Sequence, residues 1–152
     1  MTLTTLAGPH TRLLTLDDAH GSPLAEFTHY PAHDLLHVSW HGPLTAAEII
    51  RGVRHGGQWR NELRYSRILD DKSDAGGDWG DALAWLEYDW LPQVTEAGLC
   101  AMAYVFSKEV ENRFLTQQFM EAVSKSIAVA EFEDVAEATA WLIAQPAPRR
   151  PA

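Results

Sequence analysis

Two strand-length runs, Leu24 to Tyr30 and Leu35 to Trp40, flank the turn residues Pro31-Ala32-His33-Asp34, a pattern that predicts a hairpin. In the second run Leu36, Val38 and Trp40 share one face, and Leu35, His37, Ser39 and His41 share the other. The period then changes. Thr45 and Glu48 form a capping-box pattern, and Ile49, Val53 and Gly56 follow at helical spacing, with Leu63 two turns later. Gly56-Gly57 weakens that helix by about 1 kcal/mol per glycine relative to alanine and predicts a kink. Arg67 to Asp70 reads as a short strand and the polar run after it as a loop. Trp79, Leu83, Leu86, Trp90 and Val94 form the stripe of a second helix, distorted near Pro92 and stopped at Gly98. Leu99 to Phe106 is a strand, Glu109 to Lys125 a third helix centred on Leu115 and Phe119, and Ile127 to Phe132 a last strand. Asp134 caps a final helix bearing Val135, Ala138, Trp141 and Leu142.

The order β-β-α-β-α-β-α-β-α predicts an α/β fold: a mixed, mostly parallel five-stranded sheet with four helices, its first strand an antiparallel edge. Residues 1–23 read as a loosely attached arm, or one short strand near Leu13-Leu14. Residues 24–144 form the domain, and the Pro/Arg-rich residues 145–152 form a flexible tail because proline cannot continue a helix.

A leading hairpin followed by three strand–helix units resembles the STAS or SpoIIAA-like fold. The segment Asp89-Trp90-Leu91-Pro92, then Ala97-Gly98-Leu99 and Ala101-Met102-Ala103-Tyr104-Val105, is similar to an uncharacterised bacterial branch of that superfamily. The resemblance implies a signalling or protein–protein interaction module. Related lipid-transfer domains imply, as an alternative, binding of an apolar small molecule. Antagonist proteins of this type carry a phosphorylatable serine in a D-S-S-G-like segment at the start of the second helix. This chain has Asp78-Trp79-Gly80-Asp81 there, so that switch is not carried over.

Composition narrows the field further. A net charge of −9 is the wrong sign for counterion release from nucleic acid or for holding an anionic membrane surface. No run approaches the roughly 20 apolar residues of a membrane span. The N-terminus lacks the basic start and apolar segment of a secretory signal, and a single cysteine excludes a disulfide framework within one chain, so a cytoplasmic location is expected.

Candidate chemistry is sparse. The acidic loop with Asp71, Ser73, Asp74 and Asp78 follows a strand, where ligands bind in open α/β sheets. An EF-hand spacing from Asp71 fails, because the fifth and twelfth positions are Ala75 and Ala82; the bland alternative is a solvated turn in which Asp78 caps the second helix. His29, His33, His37 and His41 recur every four residues, and His29 facing His37 and His41 across the hairpin would suit zinc or nickel, although edge-strand polarity explains them as well. Cys100 falls in an apolar strand where a thiol stays protonated, and neither Ser73 nor Ser107 has a nucleophile signature. No catalytic, cofactor or metal residue is assigned.

Aromatic surplus is the stronger signal. Trp85 and Tyr88 lie off the second helix's core stripe, and Val110 and Phe114 lie off the third's. Such positions suit a homodimer or protein-partner surface, or a wide core stripe. Both faces of the last two strands are apolar, so helices confined to one side would leave the other for the arm, a second subunit or a bound lipophile. The expected role is a non-enzymatic STAS-like interaction domain, with an apolar-molecule carrier or sensor as the alternative.

Overall fold

In the computed structural model, which describes residues 9–63 and 65–146, six strands form one sheet in the order in which they occur along the chain. Strands β1 (Thr11–Asp17), β2 (Pro23–Tyr30) and β3 (Leu35–Pro43) are successively antiparallel; β4 (Arg67–Gly76), β5 (Ala101–Val105) and β6 (Ala128–Phe132) continue parallel to β3. Helix α1 (Ala46–Gly57) joins β3 to β4, the helical run α2 (residues 83–96) joins β4 to β5, and α3 (Val110–Val123) joins β5 to β6. Helix α4 (Val135–Ala144) follows β6.

The sheet has one strand more than the five expected, because part of the expected arm is β1. Leu14 and Leu16 pair opposite Phe27 and Ala25 and pack against the main core, while register irregularities at Arg12/Leu14 and Leu16/Asp17 weaken the alternation that would betray a strand. The edge is therefore β1 and not Leu24 to Tyr30. Residues 1–8 of the arm and 147–152 of the tail lie outside the described residues.

A second correction concerns β4. It runs ten residues to Gly76, so Asp71, Ser73 and Asp74 lie in a strand where a polar loop was expected. Opposite Ser39–His41 of β3, β4 spends one extra residue, Asp71 to Asp74, which is a bulge. Asp71 and Asp74 consequently sit on one face although they are three positions apart in the chain.

The caps behave as their residues dictate. Thr45 Oγ1 accepts from the Glu48 N–H at 3.2 Å, the Glu48 carboxylate accepts from the Thr45 N–H at 3.1 Å, and Asp134 Oδ1 accepts from the Glu137 N–H at 2.8 Å. At the glycine pair α1 stops instead of kinking, and a separate turn, Arg60–Leu63, follows. α2 opens through a tighter turn at Gly80–Ala82, where Asp78 Oδ1 accepts from the Gly80 N–H at 2.9 Å. It widens to a π turn at Leu86–Trp90, just before Pro92, whose missing N–H an α-helical ladder leaves unfilled. At its end Gly98, with φ of 113°, lets the Leu99 N–H reach the Val94 carbonyl and the Gly98 N–H reach the Thr95 carbonyl, a Schellman closure.

Helices α1, α2 and α3 pack on one face of the sheet and α4 packs on the other. The second core joins Leu35, Leu69, Ala101, Ala103 and Val105 to Ala138 and Leu142 of α4. The apolar far side of β5, with Phe132 of β6, is thus packed against the chain's own last helix, not left for an arm or a partner. Arg67 secures it by donating to the carbonyls of His33 and Gln145 at 2.7 and 2.6 Å. Among the described residues no helix is long and apolar enough to cross a membrane.

Candidate functional site

Alternation in β4 sends Ile68, Asp70 and Lys72 toward α1–α3 and Leu69 and Asp71 toward the other side. An acid and a lysine thus enter the larger, aromatic core. Both are buried, Lys72 to 4% exposure. Asp70 Oδ2 accepts from Lys72 Nζ at 2.5 Å, and Asp70 Oδ1 accepts from the Trp40 indole N–H at 2.7 Å. The ammonium stands 5.2 Å from the ring centre of Trp79, 5.8 Å from Tyr104 and 5.9 Å from Trp40, within cation–π range of all three.

Beside this pair is a cavity of about 60 Å³ between sheet and helices. Its walls are apolar apart from Asp70 and Lys72, with Trp40, Trp79 and Trp90 among them; Ile49 and Val53 of α1 and Phe119 of α3 close the helical side. Close approach of α1 depends on two glycines one turn apart, Gly52 against the Trp40 ring and Gly56 against Phe27. Trp79 is fully buried, yet its indole N–H has no acceptor among the described residues. Tyr104, wholly buried, has its hydroxyl pushed well above the ordinary 10.0 by burial, with Asp70's charge adding to the effect. Asp70 and Lys72 were missed by sequence reasoning. A charged pair at i and i+2 in a strand does give a signal, since both members must share a face.

The other face of β2–β4 holds a polar row. His41 Nδ1 lies 2.7 Å from Asp74 Oδ2 and its Nε2 lies 3.3 Å from Glu26 Oε2, while His37 Nε2 lies 3.5 Å from Asp71 Oδ2. Burial alone would lower the His41 pKa, but Asp74 and Glu26 outweigh it and raise the value. Burial would raise Asp71; the nearby His37 ring and hydrogen bonds from the Ser73 N–H and hydroxyl outweigh it and lower it. His29 does not join them. It pairs with Leu36 while Thr28 pairs with His37, so His29 points to the opposite, helix-covered face, where burial lowers its pKa. The histidine set that would suit zinc or nickel is therefore not brought together, and among the described residues no three His, Cys, Asp or Glu side chains are placed to hold a metal.

The aromatic positions divide. Tyr88, Val110 and Phe114 are exposed to 73%, 81% and 58%. Trp85 is half-buried, packs against the main core and carries the Arg54 guanidinium 5.4 Å above its ring. Asp78 is exposed and caps the entry to α2. Cys100 is half-buried, and burial pushes its thiol pKa up. Comparison with protein-family models, with curated proteins and with solved structures finds no match for this chain.

Proposed function

We propose that this chain is a non-catalytic binding module that takes up a small, largely apolar molecule between its sheet and helices α1–α3. The observation that carries it is the cavity beside Lys72 and Asp70. Taking an ion pair out of water costs several kcal/mol per ion, and apolar residues of like volume often serve a core as well or better. A charged pair kept beside an open space in an aromatic wall fits recognition better than packing.

Size bounds the ligand. On this measure a single water needs about 10–15 Å³, so the space of about 60 Å³ suits a compound of about four heavy atoms. At the ceiling of about 1.5 kcal/mol per atom for very small ligands, four atoms yield about 6 kcal/mol and a Kd in the tens of micromolar. Titration of two- to four-carbon compounds should therefore quench the tryptophan fluorescence saturably and raise Tm. Val53→Phe, which fills the space from α1, should abolish the response in a folded protein. Absence of any saturable response across the series overturns the proposal.

Tyr88, Val110 and Phe114 favour a second reading, a cytoplasmic STAS-like interaction domain that pairs with itself or with a protein partner. Its support is the resemblance of residues 89–92 and 97–105 together with these exposed side chains, Val110 and Phe114 lying one helical turn apart. Sedimentation should then show a dimer that Phe114→Ser dissociates; a monomer at high micromolar concentration removes self-pairing.

A further inference from the structure

We infer that the cavity selects a neutral ligand bearing a hydrogen-bond acceptor, a compact carbonyl compound, whose oxygen meets the donors of Trp79 and Lys72. This rests on the binding reading above and names the ligand class.

The inference follows from counting donors and acceptors in the wall. On the acceptor side, each oxygen of Asp70 already holds a bond, one from Trp40 and one from Lys72. On the donor side there is a surplus. The Trp79 indole N–H has no acceptor among the described residues. Lys72 has three N–H groups and, among the described residues, one hydrogen-bond acceptor, Asp70; around it stand the faces of Trp40, Trp79 and Tyr104, which attract the charge without accepting a conventional bond. Buried donors without acceptors are unfavourable, and an occupant that supplies an acceptor relieves them.

Charge then separates the candidates. Asp70 and Lys72 together are neutral, so an anion entering would place a second negative charge near Asp70, and a cation would place a second positive charge near Lys72. A neutral acceptor adds a hydrogen bond and no uncompensated charge. A hydrocarbon of the same shape fills the space and leaves the donors as they were.

The test compares three probes of one size and shape: acetone, isobutene and isopropylammonium, titrated into the full chain while the indole N–H signals are followed by ¹H–¹⁵N NMR. Acetone is expected to bind at least ten-fold tighter than isobutene and to shift the Trp79 indole proton downfield. Trp79→Phe, which leaves the ion pair in place, should erase most of that preference while isobutene binding persists. Lys72→Met should do the same, and if that variant does not fold, Trp79→Phe decides alone. Equal affinity for acetone and isobutene overturns the inference and leaves the binding module standing. A preference for the ammonium overturns it in favour of Asp70 as the recognition group. Failure of every probe removes both.

Discussion

His41 sits between two carboxylates on the sheet face that α1–α3 do not cover, and its side chain is a quarter exposed, 25%. Because its folded pKa lies above the ordinary 6.5, the folded state holds the proton more tightly than the unfolded chain. The resulting stability is fully present below pH 6.5 and is lost as pH rises through the raised folded value. His41→Gln should therefore cost up to about 1 kcal/mol at pH 6, the scale of a partly screened pair, and much less at pH 8.5. Urea denaturation of variant and parent at both pH values measures it; an equal cost at both refutes the linkage. The difference between the two proteins is the quantity to follow, because His29, its pKa lowered by burial, adds the opposite slope to both. The four-residue recurrence of histidines was visible along the chain, but their division between faces was not. It follows from which residues face one another across the Pro31–His33 turn, where Thr28 meets His37 and His29 meets Leu36.

At the scale of one element, α1 shows how packing reverses a propensity. Alanine ordinarily stabilises a helix by about 1 kcal/mol over glycine. A Cβ on Gly52, however, would come within 2.5 and 2.7 Å of two Trp40 ring atoms, and that ring is held in place by its bond to Asp70. Gly52→Ala should thus destabilise by about 1–3 kcal/mol, the usual range for overpacking. At Gly56 the nearest atom is Phe27 Cε1 at 3.1 Å, so Gly56→Ala should lie close to neutral. Thermal or urea unfolding of the two variants decides, and equal effects would show that Trp40 yields. The glycines were legible only as helix weakeners, since the ring they accommodate comes from β3. β4 was truncated for a related reason. Asp71-Lys72-Ser73-Asp74 has the composition of a loop, yet β3 on one side satisfies its backbone, while Asp70, Asp71 and His41 pair its side chains. The caps, by contrast, involve residues three apart and were read from the sequence directly.

Across the whole molecule, α4 decides what the sheet exposes. Ala138 and Leu142 are fully buried against Leu35, Leu69, Ala101 and Val105, and burying a leucine side chain contributes roughly 1.5–3 kcal/mol. Ending the chain at Glu133 should uncover that face, bind a dye such as ANS and abolish cooperative unfolding. A truncated chain that unfolds cooperatively without binding dye would show that the three-helix side suffices. Hydrophobic period, turn residues and caps depend on neighbours a few positions away, so the α/β class, the hairpin, the four helices and most of their ends follow from the sequence by itself. Tertiary structure decided between the two readings of the arm by pairing Thr11–Asp17 into the sheet as a sixth strand, and it alone decided that the last helix crosses to the second face and that an acid and a lysine meet inside an aromatic wall. Each of those outcomes depends on strands far apart in the chain supplying backbone partners, matching register and excluding water, conditions that no local stretch of residues specifies.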